Sequence, residues 1–332
     1  MRIGVHLRHW DRTPHDVAAL AKLAEDVGLD SVWVSETWGS DATDLVTWIA
    51  AHTSRIAIGT GILQMPARTP AATAMAAATI DHLSGGRFRL GLGAGGPRVV
   101  EGWHGVPYGS PLTRTREYIA IVRAVLAREE PLTFDGDVYA LPLPGGDGRA
   151  LKLNVVPLRH DIPIYLAAMG PKNVALTKEI ADGWLPLLYS PEHAEMFGLG
   201  DLSPDFDVAP MVLTAIDDDR AAARDVVRPD IALYVGAYGP KTKNFYADLV
   251  RRYGFEAEVD AIQGAALEGR MSDATAEVTD AMVDTLALAG PVAFVRDRLQ
   301  AYDEAGATSV LAMTKDPDTI RDLGRVLGEV AM

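Results

Sequence analysis

The sequence predicts an α/β fold, a closed (β/α)8 barrel. Three observations carry this. Short apolar, β-branched runs alternate with helical patterns along the 332 residues. The runs are apolar at every position, as in parallel strands buried on both faces. Prolines at helix starts and glycines at helix ends punctuate the units. A doubly wound sheet is the second fold that such alternation allows.

The first run is Ile3–Leu7. Pro14 opens a helix whose apolar positions include Val17, Leu20, Ala24 and Val27, and Gly28 ends it. A strand over Ser31–Ser35 precedes a helix over Thr43–His52, then a strand over Ile56–Leu63. Pro70 starts an alanine-rich helix to Leu83, stopped by Ser84-Gly85-Gly86, and Phe88–Leu92 is the fourth strand. Tyr118, Ile119, Ile121, Val122, Val125 and Leu126 mark an amphipathic helix after Thr113.

Residues 132–158 depart from the rhythm and read as an excursion: a hairpin turning at Asp135-Gly136, then a strand over Leu151–Val156. The alternation resumes with strands at Ile162–Ala167, Trp184–Leu188 and Val208–Ile216. Helices follow each, over Pro171–Ala181, from Pro191, and from Asp217 or Asp218. The acidic run 217–219 reads as a helix N-terminus, where carboxylates meet the positive end of the dipole. Residues 237–289 read as a helical insertion over the active-site face. A helix at Pro291–Ala305, a strand at Ser309–Met313 and a helix at Thr319–Val330 complete eight units in one domain, 1–332.

Composition narrows the function. Net charge is −14, without a basic block, so neither nucleic acid nor an anionic membrane is an expected partner. There is no cysteine, which excludes disulfides, thiolate metal sites and a cysteine nucleophile. No apolar stretch reaches membrane-spanning length and the first residues lack a signal-peptide pattern, so the expected location is cytoplasmic. The expected partners are a small-molecule substrate and a second copy of the chain in a homodimer.

A barrel places its chemistry at the carboxyl ends of its strands. Two of those ends rhyme. Ala94-Gly95-Gly96-Pro97-Arg98 follows the fourth strand and Ala168-Met169-Gly170-Pro171-Lys172 the fifth. Each joins a glycine, a helix-starting proline and a basic residue, which suits a phosphate cradle at two helix N-termini. The ordinary alternative is a pair of efficient strand-to-helix turns. Gly91, Gly93 and Gly96 also match G-x-G-x-x-G, but a dinucleotide loop belongs in a first βα unit with an acid about 20 residues on. Three units precede this one, and the sequence near position 116 is helical. His6 and His9 lack the partners that a metallohydrolase barrel needs, so no metal site is expected.

The stretches SVWVSETWGSDA, RIAIGTGILQMPARTPAATAMAAATIDHLSGGRFRLGLG, GPRVVEGWHG and IPIYLAAMGPKNVALTKEIADGWLP resemble the bacterial-luciferase-like superfamily. Within it, they resemble the oxidoreductases that use the deazaflavin coenzyme F420; an FMN-dependent monooxygenase is the nearest alternative, and a non-catalytic ligand-binding barrel a further one. The resemblance implies a TIM barrel of the luciferase-like type with insertions, and a non-proline cis peptide joining Gly61 and Ile62 behind the cofactor ring. It implies cofactor contacts at Glu36, Thr60, Gly61 and Ile62. Gly93, Ala94, Gly95, Gly96, Pro97 and Arg98 would hold the phosphate with Ala168, Met169, Gly170, Pro171 and Lys172.

Sugar-phosphate dehydrogenases of the family carry a histidine where this chain has Thr37, and a glutamate where it has Gly96. The resemblance therefore implies the reductive direction, hydride delivery from the reduced deazaflavin to an activated C=C or C=N bond. Glu36, His6 and Trp103 are the catalytic candidates; His104 and Tyr108 are further proton donors. Tyr238, Lys241, Lys243, Asn244 and Tyr246 are placed to cover the substrate.

Overall fold

The structure is a computed structural model and describes residues 1–239 and 244–330. β1 (Arg2–Leu7) leads into α1 (Pro14–Asp26), and β2 (Ser31–Val34) into α2 (Ala42–His52). The third unit has two short strands, β3 (Ala57–Thr60) and β4 (Leu63–Gln64), before α3 (Pro70–Ser84). The Gly61–Ile62 peptide between them is cis. β5 (Phe88–Gly93) is followed by α4 (Pro97–Gly102) and α5 (Pro111–Ala127). A hairpin of β6 (Phe134–Asp135) and β7 (Ala140–Leu141) precedes β8 (Ile164–Leu166), α6 (Pro171–Ile180) and β9 (Gly183–Trp184). β10 (Asp207–Val208) and β11 (Met211–Ile216) form one strand position, interrupted at Pro210, which has no N–H to donate. α7 (Arg220–Ala232) opens into a π-turn over Leu233–Ala237. Then come α8 (Phe245–Arg252), α9 (Glu256–Leu267), α10 (Met271–Ala276), α11 (Asp280–Leu286), β12 (Ala287–Gly290), α12 (Val292–Glu304), β13 (Ser309–Thr314) and α13 (Pro317–Val330).

The strands are parallel, in the order β10-β9-β8-β5-β3-β2-β1-β13-β11-β12. The barrel closes through residues 207–216. β10 pairs with β9, and β11 with β13. At the interruption the Met211 N–H reaches the Pro186 carbonyl and the Leu311 N–H reaches Pro210, both at 2.8 Å. Local chemistry sets the helix starts: Thr13 forms a capping box with Asp16, and Asp41, Thr69 and Asp219 cap α2, α3 and α7. Asp219 thus gives the acidic run its cap, accepting from the Ala221 and Ala222 N–H groups. The amino end of the barrel is plugged by Asp207, which takes bonds from Tyr165, Thr308 and Ser309 and pairs with Arg2. The carboxyl end is left open for a cavity.

Three expectations need correction. Leu151–Val156 is not a strand; it is irregular, with Leu151 and Val156 exposed, because no neighbouring edge pairs with it. The 237–289 stretch is not helical to its end, since Ala287–Gly290 adds a strand beside the upper half of β11. Its small apolar residues fit a fully buried edge, which a period-based reading cannot tell from helix. The hairpin forms, but its turn spans 136–139, where the Glu117 carboxylate accepts three backbone N–H bonds from Asp137, Val138 and Tyr139.

Candidate active site

A cavity of about 770 Å³ opens at the carboxyl ends of the strands. Its floor holds His6 from β1, Gly61 and Ile62, Met211 and Met313. One wall consists of Gly93, Ala94, Gly95, Gly96 and Pro97 after β5, with Ala168, Met169, Gly170, Pro171 and Lys172 after β8. Arg8, Trp10, Asp230, Leu233, Tyr234 and Tyr238 also line it, and Asn244, Phe245 and Tyr246 bound it at the start of α8. Lys241 and Lys243 lie outside the described residues.

Close packing explains the glycines below the rhyming loops. A Cβ on Gly91 would sit 1.8 Å from the Thr60 carbonyl oxygen. That contact lets Thr60 Oγ1 donate to the Gly91 carbonyl and accept from its N–H, each at 2.9 Å. Gly96 and Gly170 differ: a Cβ at either meets nothing within 4 Å. They are the N-cap residues of α4 and α6, Pro97 and Pro171 follow at N1, and neither start has a side-chain cap. The prolines bring no N–H, and the Val99 and Asn173 N–H groups already donate to the Gly96 and Gly170 carbonyls, so the Arg98 and Lys172 N–H groups are the helix-start donors open to a ligand.

His6 is buried, and its Nε2 lies 3.0 Å from the Gly61 carbonyl. A carbonyl only accepts, so Nε2 carries the proton and Nδ1 is left without a partner. Burial lowers the pKa to about 4, and the charges of His9 and Arg8 push the same way. The ring is neutral near pH 7.

Five expected residues lie away from the cavity lining. Glu36 is buried behind it, accepting from the Gln64 N–H at 2.8 Å and paired through both oxygens with Arg68. Both oxygens share the Nη1 nitrogen of Arg68, and Oε1 also takes the Gln64 N–H, so this carboxylate is held as an internal strut. Thr60 is consumed by its bonds to Gly91. Arg98 turns outward and donates to the Ala237 carbonyl at 3.0 Å. Trp103 is 67% exposed, since the short α4 carries it onto the outer surface. His104 is committed to Gln64 Oε1 at 3.1 Å, and Gln64 also donates to the Thr37 carbonyl.

Two residues that the sequence did not single out for the site, Asp230 and Tyr234, matter more, together with Arg8, a polar residue at the end of the first strand. Arg8 lies two positions after His6, so β-periodicity puts both on the cavity side. Its Nη2 pairs with Asp230 Oδ1 at 2.5 Å. Tyr234 stacks with Tyr238 and Tyr246 at centroid distances of 5.0 and 5.2 Å. The available signal was Pro229 inside a helix followed by an i, i+4 tyrosine pair. Pro229 removes a ladder hydrogen bond, and the helix then widens into the π-turn. Asn244 holds that turn, donating to the Tyr234 and Val235 carbonyls while capping α8.

Residues 1–309 match the luciferase-like monooxygenase family. The chain belongs to that family. A relative from Mycobacterium tuberculosis, Rv3520c, is provisionally named a coenzyme F420-dependent oxidoreductase. It is 44% identical over 98% of this chain and 99% of its own length. The 5,10-methylenetetrahydromethanopterin reductase of Methanolobus tindarius is 31% identical, over 89% of each chain. In fold, the chain is similar to the coenzyme F420-dependent tetrahydromethanopterin reductase of Methanopyrus kandleri. That likeness has a TM-score of 0.80 at 24% identity and covers 98% of this chain and 97% of the other. The luciferase-like barrel is thus the fold of this protein. Among the described residues, no group of three or more His, Asp or Glu stands where it could hold a metal ion. No described helix is long and apolar enough to cross a membrane.

Proposed function

We propose that this protein is a coenzyme F420-dependent oxidoreductase working as a reductase on an activated C=C or C=N bond of a small molecule. The observation that carries the reading is the wall with two open glycine–proline helix starts. Lys172 stands at that wall with no partner among the described residues. Uncapped N–H groups and a free ammonium suit an anionic cofactor tail, and room at Gly96 and Gly170 lets a phosphate approach the backbone. The cavity volume lies within the range of cofactor sites. The name of the Mycobacterium tuberculosis relative supports the choice of deazaflavin.

The bound deazaflavin supplies the hydride. The protein's part is position and electrostatics. Gly61 and Ile62 would back the ring, with the Gly61 carbonyl fixed by His6. The apolar floor and tyrosine wall exclude water from the reacting carbon. Glu36 acts at one remove, holding Gln64 beside the site.

Equilibrium titration with F420 and with FMN tests the reading. F420 is expected to bind and FMN to bind far more weakly; tight FMN binding with no deazaflavin binding overturns it. Gly96→Asp adds like charge at the helix start and is expected to weaken F420 by at least about tenfold, an effect of about 1.4 kcal/mol. Gly96→Ala, which meets open space, should bind nearly normally.

A further inference from the structure

Reducing a C=C or C=N bond takes a proton as well as a hydride, and of the donors that the sequence suggests the structure disqualifies Glu36, Trp103, His104 and His6, while Tyr108 lines the cavity. Glu36 is locked to Arg68 behind the lining. Trp103 is on the surface, and His104 is bound to Gln64. His6 has one N–H, already directed at Gly61. One carboxyl group remains among the described lining residues, that of Asp230.

We propose that Asp230 donates the proton in this site and that Arg8 is the residue that positions it. The inference rests on the reductase reading above. Asp230 lies on α7 one turn before Tyr234 and lines the same cavity as the glycine–proline starts. Oδ1 takes the bond from Arg8, while Oδ2 has no hydrogen-bond partner among the described residues. The carboxyl is thus fixed through one oxygen and free at the other, the arrangement that a directed proton transfer needs.

Burial raises the Asp230 pKa, against the opposing charges of Arg8 on one side and Lys315 on another. Tyr108, Tyr234, Tyr238 and Tyr246 also line the cavity, but burial drives their hydroxyls up and away from a working pH near neutrality. The shifts move the carboxyl toward a useful acid and the phenols away from one.

The step balances as follows. The substrate carbon takes a hydride from the reduced deazaflavin, the two-electron reductant. The Oδ2–H bond of Asp230 breaks, and its proton goes to the adjoining carbon or nitrogen as that atom becomes electron-rich. The electron pair stays on the carboxylate beside the Arg8 guanidinium, and solvent returns the proton.

Two measurements on the full chain test this. The first is an infrared pH titration of cofactor-free protein, wild type against Asp230→Asn. A protonated-carboxyl band absent from the variant should titrate above the ordinary aspartate value of about 3.9. In Arg8→Gln its midpoint should move upward, because the stabilising cation is gone. A band titrating at or below the ordinary value overturns the proposal. The second is stopped-flow oxidation of the reduced deazaflavin by cyclohex-2-en-1-one. Asp230→Asn should slow hydride transfer by about 10²–10⁴-fold and abolish its pH dependence, with cofactor affinity little changed. An unchanged rate and pH profile in a variant that binds the cofactor overturns the proposal. A wild type that fails to bind deazaflavin instead overturns the cofactor reading, and the infrared titration still decides the state of Asp230.

Discussion

Replacing Glu36 by alanine should damage stability much more than chemistry. The carboxylate is 6% exposed, accepts the Gln64 N–H and pairs through both oxygens with Arg68, which is itself mostly buried. Glu36→Ala leaves the guanidinium with only the outer carboxylate of Asp41 and leaves the Gln64 N–H unpaired. Breaking a buried pair from one side costs about 3–5 kcal/mol. For 332 residues the unfolding entropy is about 0.7 kcal/mol/K, so the melting temperature should fall by about 4–7 °C. Differential scanning calorimetry measures this. Hydride transfer, assayed well below the transition, should fall by no more than about tenfold, through looser placement of Gln64. A melting temperature within about 1 °C of wild type, with hydride transfer lost, would refute the strut and make Glu36 a catalytic group.

Two further outcomes follow from the same geometry. The folded-state pKa of His6 is about 4, below the ordinary 6.5, so between these values the unfolded chain binds a proton that the folded chain does not. Its stabilising contribution is complete above pH 6.5 and lost as the pH falls toward 4, about 3 kcal/mol in all. His6→Gln, which keeps an N–H donor for Gly61, should flatten the acid limb in urea unfolding; an unchanged slope shows that His6 is not its source. Asn244→Ala removes a helix cap and the donors to two backbone carbonyls, a loss of about 2–4 kcal/mol. Hydrogen exchange should speed up at Tyr246 and Ala247 while the barrel strands keep their protection, and equal protection at those two amides argues against the pin.

The legible parts of the site were those written in local chemistry. Glycine before proline at a strand end means the same in any barrel, and Gly96–Pro97 and Gly170–Pro171 both begin helices beside the cavity. Long-range pairing was illegible. Glu36 looked like a cofactor contact from the family resemblance, yet its partner Arg68 lies 32 residues away beyond the cis peptide. Arg98 matched Lys172 in the sequence rhyme, but the two point to different places, because the π-turn offers Arg98 a carbonyl that nothing near Lys172 supplies. Asp230 carried no signal in the sequence, because only the fold sets it against Arg8, 222 residues away.

By itself, the sequence determined the alternation of the eight barrel strand positions with helices and the place of the two open helix starts. Each of these depends on periodicity, turn residues or caps, whose physics acts over a few positions. The tertiary structure alone decided which polar groups face the cavity and which are spent holding it together. That choice depends on who meets whom once the barrel closes: a carboxylate that finds an arginine through both oxygens becomes a strut, and one held through a single oxygen keeps the other free for chemistry.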